Sequence, residues 1–324
     1  MSGSRRIRGL LPLALGAIAL VLVWFCYPHN FEISDPSSYA RNAYWIAHGQ
    51  FAKQGLGSGI FQQRFGVFLP VALVYALCGV TPHTTDLVPL LATLVILLVV
   101  WTESIGRARW FGVFCVVTCQ PLVSGMMNLF PDSIVSALLA LSVLALSRRI
   151  NRGGPLRHVL RASCGVLAWY CAMLTKESAW WALPLWAGAL LVDVFRGRRE
   201  LLKWFYLPAA LLAAVLGALY LWFCAHYYGD PLARIHTVQA LTGKHGWTIR
   251  DDAHLSLRLT SRALRYFWTQ YASLPILALC GLFVLPASRR IWGFYALITV
   301  LSFWFGSTSL TSYQPMPLMS RLVV

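Results

Sequence analysis

Apolar blocks of membrane-span length recur along this whole chain, and no other feature limits its fold as much. A helix that crosses a bilayer needs ~20 apolar residues. Within the lipid core its backbone polar groups must be satisfied internally. Such blocks stand at 9–27, 86–102, 110–127, 133–147, 160–175, 179–195, 204–225, 266–285 and 291–307. The reading is an all-α fold, a polytopic transmembrane helical bundle of about nine spans, with residues 1–324 forming one membrane domain. The chain is 58% hydrophobic and 12% charged, and soluble domains carry about twice that charge. The basic start at Arg5, Arg6 and Arg8 runs into an apolar stretch of spanning length with no small-residue cleavage site after it. That pattern reads as an uncleaved first helix.

Charge then orients the bundle. The chain holds 27 Lys+Arg against 11 Asp+Glu. No basic domain or nucleic-acid motif stands outside the apolar blocks, so the excess is read as membrane orientation and lipid contact, with no nucleic-acid partner. Five basic clusters stand out: Arg5 to Arg8, Arg107 with Arg109, Arg148 to Arg161, Arg196 to Lys203, and Arg289 with Arg290. All five share the cytoplasmic side only if the block at 65–79 does not cross. That block is short and holds Pro70, which suits a re-entrant or interfacial helix. The expectation is a multi-pass plasma (inner) membrane protein with a cytoplasmic N-terminus. Trp24, Trp101, Trp110, Trp180, Trp181 and Trp204 sit at block ends, as interfacial tryptophans do. The eight cysteines form no CxxC and no zinc-like set, and are read as small buried apolar side chains.

This topology gathers the polar segments on the extracytoplasmic face. They are the outer loop 28–85, the turn NLFPDS, the turn TKES, the loop 226–265 and the tail holding Arg321. Asp35-Pro36 is a strong helix start, and Tyr39, Ala43, Ile46 and Ala47 follow as an apolar stripe before Gly49. Residues 249–268 read as a second amphipathic helix on the membrane surface. Asp132 opens one span, and Lys176 and Glu177 lie between two others. Each has an ordinary reading as a helix cap or a snorkelling cation. Arg64 has the same ordinary reading, and also the fork geometry to grip a lipid phosphate. Together, Asp35, Arg64, Asp132, Lys176 and Arg321 put two acids and three bases on one face of an apolar body.

The order of these pieces resembles the GT-C superfamily of polyprenyl-phosphate-sugar-dependent glycosyltransferases. It is most similar to the branch of protein O-mannosyltransferases and lipid A aminoarabinose transferases. The similar pieces are SDPSSYARNAYWIAHGQF, QRFGVFLPVALVYALCGVTPHTTDLVPLLATL, NLFPDSIVSALLALSVLAL and GVLAWYCAMLTKESAWWALP, within residues 10–200, with a weaker echo at Arg321. The resemblance implies that Asp35 is the catalytic base and Asp132 the second acid beside the active site. It implies that Arg64, Lys176 and Arg321 hold the donor phosphate, with Tyr39 and Glu177 in support. Many relatives have Asp-Glu where this chain has Asp35-Pro36. Relatives also continue past the late Arg, which implies a C-terminally shortened chain here.

The chemistry is coherent in its own terms. A sugar on a lipid phosphate already has a good leaving group, so transfer needs a base for the acceptor hydroxyl and cations for the departing phosphate. One in-line displacement inverts the anomeric centre. A glycosidase would want two facing carboxylates and would leave the cations unexplained. The expected partners are a polyprenyl-phosphate-linked sugar donor, membrane lipids, and a glycan, lipid or protein acceptor. No cofactor is called for, and divalent-metal dependence stays open. Two rivals are a lipid-linked sugar flippase or transporter and a catalytically silent relative. The first would want ionisable residues at mid-membrane, and here the charges sit at block ends.

Overall fold

The computed structural model describes residues 3–27, 35–51, 59–151, 153–244, 282–283 and 289–305. Among these the chain is helical, without strands. The helices are α1 Gly3–Cys26, α2 Asp35–Ala47, α3 Ile60–Gln63, α4 Phe65–Cys78, α5 Pro82–Glu103, α6 Ala108–Thr118, α7 Gln120–Gly125 and α8 Pro131–Ser147. They continue with α9 Pro155–Thr175, α10 Leu183–Phe195, α11 Arg199–Tyr228, α12 Ala233–Lys244 and α13 Arg290–Phe305. A 3₁₀ turn, Glu177–Ala182, leads into α10, and a π turn, Leu202–Tyr206, interrupts α11.

The boundaries follow local chemistry. The Thr81 hydroxyl accepts from the Thr84 amide while Thr84 bonds back to the Thr81 amide, a reciprocal cap that starts α5 just before Pro82. Pro131 and Pro155 open α8 and α9, where a missing N–H costs nothing. Gly229, in the left-handed region at φ +70°, closes α11.

Paired ends define two poles, here called upper and lower without reference to membrane side. At the lower pole Trp101 donates to the Gly9 carbonyl at 2.8 Å, Arg148 pairs with Glu103 at 3.1 Å, and Trp292 donates to Glu103 at 3.1 Å. There the Asp193 carboxylate is fully buried and accepts from Arg149 at 2.6 Å, Arg198 at 2.9 Å and Tyr206 at 2.8 Å. At the upper pole Trp24 meets His83 edge-on. Both ends of α4 lie at the upper pole as well. Arg64, just before it, bonds to Glu177, and Tyr75, near its end, bonds to Thr85 in the first turn of α5 at 2.6 Å. The helix thus lies across the upper pole and does not run from pole to pole.

Five helices are long and apolar enough to cross a membrane: Gly9–Cys26, Pro82–Glu103, Pro131–Ile150, Glu177–Phe195 and Arg199–Tyr228. Among the described residues these five meet that length and composition, and the expected nine spans are not confirmed. The block at 110–127 breaks at Cys119, because Pro121 removes a helical N–H and its ring blocks the preceding turn. The α9 helix runs between the poles, but Arg157, His158 and Arg161 lower its hydropathy. The block at 266–285 lies largely outside the described residues, as does the surface helix expected over 249–268. The loop expected over 226–265 is corrected at its start, since α11 runs to Tyr228 and α12 follows. Of the seven described cysteines, Cys26, Cys78, Cys115, Cys164 and Cys171 are exposed on the bundle's surface, and Cys224 is buried. The α2 stripe, expected on a helix lying on the membrane, packs into the protein: Tyr39 and Ala43 are buried in one cluster with Phe68, Val71 and Tyr75 of α4 and Ile134 of α8.

Candidate functional site

The upper pole holds the polar side chains, and each arrives on a different element. Asp35 opens α2, and Tyr39 follows one turn later on the same face. Arg64 occupies the break between α3 and α4, at φ −92° and ψ 61°. Asp132 lies in the first turn of α8. Lys176 is the extended residue, φ −154° and ψ 146°, that joins α9 to the 3₁₀ turn opened by Glu177.

Glu177 organises the centre. Arg64 Nη2 donates to Glu177 Oε2 at 2.8 Å, and Arg64 Nε reaches Oε1 at 3.5 Å. Arg64 Nη1 donates to the Tyr39 hydroxyl at 2.6 Å. Arg234, in the first turn of α12, donates through Nε to Glu177 Oε1 at 2.8 Å. One carboxylate is thus held between two guanidiniums from segments far apart in the chain. Lys176 Nζ forms a second ion pair with Asp132. The side chains of Arg64, Lys176, Asp132 and Arg234 are all largely buried.

Burial sets the protonation states. It works against the Arg64 charge, but Glu177 and then Tyr39 more than offset it, so the guanidinium is held above its usual range. Burial pushes the Tyr39 phenol up to about 12, against the pull of the Arg64 charge. Tyr39 is therefore a neutral hydroxyl that accepts from Arg64 and keeps its own proton.

Asp35 differs from the other acids. Among the described residues it has no hydrogen-bond or ion-pair partner, and it is half-buried beside Tyr39. The paired acids Asp132 and Glu177 hold cations in place, while Asp35 keeps an open carboxylate.

Two smaller contacts fix the rim. Asn42 Nδ2 donates to the Phe61 carbonyl at 3.1 Å, tying α2 to α3. Gln63 Nε2 donates to Thr237 Oγ1 at 3.2 Å, tying α3 to α12. The α12 start is itself fixed by Asp230, which accepts from the Leu232 amide at 2.9 Å and pairs with His236 at 2.6 Å. His236, by bonding, and the Leu232 amide together lower the Asp230 pKa.

Five of the site residues expected from sequence, Tyr39, Arg64, Asp132, Lys176 and Glu177, thus fall into two adjacent ion-paired groups, with Asp35 at their edge. Arg321 lies outside the described residues. Arg234 is the addition, and its signal in the sequence is weak: a lone basic residue after the Gly229-Asp230-Pro231 turn. Among the described residues no three His, Cys, Asp or Glu side chains converge as metal ligands. Comparison with protein-family models, curated proteins and solved structures returned no match for the chain. The site's own geometry therefore carries the reading.

Proposed function

We propose that the protein is an integral-membrane inverting glycosyltransferase that moves a sugar from a polyprenyl-phosphate donor to an acceptor hydroxyl at the upper pole. The observation that carries this reading is an open carboxylate, Asp35, beside buried cations that are already held in place. In the reaction the acceptor oxygen attacks the anomeric carbon while its proton passes to the Asp35 carboxylate. The bond from that carbon to the phosphate oxygen breaks, and polyprenyl phosphate leaves with one more negative charge. Arg64 and Lys176 meet that charge without moving far, because Glu177, Tyr39 and Asp132 already orient them. Asp132 then acts as a positioning residue for Lys176, and the base is Asp35 alone. Tyr39 bonds Arg64 and faces the same side as Asp35, so it couples the two halves of the site.

The test uses full-length protein in native membranes, given a panel of polyprenyl-phosphate sugars radiolabelled in the sugar. The substitution Asp35→Asn keeps the shape and removes the base, and is expected to lower transfer about 10²-fold or more. Undiminished transfer by that variant overturns the assignment.

A further inference from the structure

Arg234 and Tyr228 carry an observation that the two ion-paired groups leave unused. The Arg234 side chain is more than nine-tenths buried, its Nε is bonded to Glu177, and its Nη2 is buried without a partner. The Tyr228 hydroxyl, at the last turn of α11, is also buried without a partner and lies within electrostatic reach of Arg234. Unpaired buried polar atoms are uncommon in folded proteins, and each one asks for an explanation. Asn42 Oδ1, Gln62 Oε1 and His158 Nδ1 are also unpaired, but Arg234 Nη2 belongs to a permanently charged group.

The charge balance points the same way. Arg64 and Arg234 share one carboxylate, Glu177, which leaves that group with an excess positive charge. Lys176 and Asp132 neutralise each other. Asp35 lies near Tyr39 on α2, and Asp230, four residues before Arg234, is taken up by His236 and the Leu232 amide. A buried excess cation is costly unless an anion completes it, and a guanidinium fork with a neighbouring hydroxyl matches the oxygens of a phosphate group.

We propose that Arg234 Nη2 and Tyr228 Oη form a phosphate-binding seat between the end of α11 and the start of α12, next to the Arg64–Glu177 pair. The seat takes a phosphate oxyanion. In assigning that phosphate to the donor substrate the inference rests on the glycosyl-transfer reading above, whereas the seat itself depends only on the local geometry. It makes α12 a wall of the site, with Gln63–Thr237 as the bond that holds the wall shut.

Binding is measured on detergent-purified full-length protein with three probes: inorganic phosphate, a short-chain polyprenyl monophosphate and a phosphatidic acid in mixed micelles. The substitution Tyr228→Phe removes a hydroxyl that has no hydrogen-bond partner among the described residues. It is expected to leave the apo melting temperature unchanged or higher, and to weaken binding of the polyprenyl monophosphate about tenfold, the worth of one hydrogen bond to a charged group. Arg234→Lys keeps the charge near Glu177 but loses the fork, and is expected to weaken binding at least as much. Arg157→Gln, at the lower pole, is expected to change nothing. If inorganic phosphate and phosphatidic acid bind as tightly as polyprenyl monophosphate and show the same losses, the seat stands and the donor assignment falls. If neither Tyr228→Phe nor Arg234→Lys changes the affinity for any probe, the seat is overturned. Asp35→Asn should leave binding intact, so loss of the catalytic reading and loss of the seat are separate results.

Discussion

At the scale of single residues, the site turns on which acid is spoken for. Glu177 accepts from Arg64 and Arg234, and Asp132 pairs with Lys176, while Asp35 has no partner among the described residues. Removing one member of a buried ionic group leaves the others unpaired, which costs far more than the group contributes intact. The Glu177→Gln variant keeps the side-chain shape and strands two guanidiniums. Its expected cost is about 3 kcal/mol in thermal unfolding, at the low end for buried pairs because Glu177 keeps some exposure. The same variant raises the local positive charge, so added phosphate should stabilise it more than wild type. A cost below about 0.5 kcal/mol, the level of an ordinary surface change, would show that the arginines do not depend on Glu177. Charge bias along the chain was enough to place Arg64, Asp132, Lys176 and Glu177 together. It could not show who pairs with whom, because Arg64–Glu177 joins residues far apart in sequence and depends on which helices are neighbours. Arg234 was illegible for a related reason. ARIHTVQALTGK has no sustained apolar face, and its helix is fixed by the Asp230 turn and by Thr237 meeting Gln63.

At the scale of elements, Arg64 reaches Glu177 only because α4 lies hard against α9. Gly66 makes that approach possible. A Cβ there would come within 2.7 Å of the Thr175 amide nitrogen and 2.8 Å of the Cys171 carbonyl oxygen, and would also meet the Thr175 hydroxyl. These backbone atoms belong to the last turn of α9, where they are held by the helix's own hydrogen bonds, so a methyl group pushes α4 outward. The expected result of Gly66→Ala is a loss of about 1–3 kcal/mol, the usual range for overpacking, together with loss of sugar transfer as Arg64 leaves Glu177. Gly217→Ala is the matched control. Its Cβ meets nothing within 4 Å, and helix propensity makes the change neutral or favourable by about 0.5–1 kcal/mol. Equal behaviour of the two variants in melting and transfer assays would sink the close-packing account. The motif FQQRFG drew attention through Arg64, and its glycine had no visible purpose until the neighbouring helix was known. Pro70 and the shortness of the apolar block left crossing open, and the basic clusters on either side decided for a helix that does not cross; both ends of α4 lie at one pole.

At the scale of the whole molecule, the two poles carry opposite kinds of polar group. The two central acids of the lower pole are saturated, although His158 Nδ1 there is buried without a partner: Asp193 takes three donors and Glu103 joins Arg148 to Trp292. Among the described residues the upper pole leaves Arg234 Nη2 and Tyr228 Oη unpaired, and Asp35 has no hydrogen-bond or ion-pair partner. Satisfied polar clusters hold helices together. Between the poles the outer surface is apolar. The first span is 17% buried and the last 11% buried, and Leu207, Leu211, Val215, Leu219 and Trp222 stand exposed along α11. An apolar surface of that extent has no stable place in water. The overall class was legible because lipid demands the same composition at every exposed position. The number of spans was not, because apolar runs report burial in lipid and in protein alike, and Pro121 or Arg157 decides the difference locally. The exposed face of α11 yields the sharpest check on membrane embedding. Val215 lies in the middle of that helix and is more than half exposed. Replacing it with Asp puts a charge at the bilayer centre, where insertion costs about 2.5–3.5 kcal/mol. The expected outcome of Val215→Asp is a marked fall in the membrane-inserted fraction after carbonate extraction. If α11 instead faces water, the same substitution adds one surface charge and the distribution between membrane and soluble fractions stays as it was.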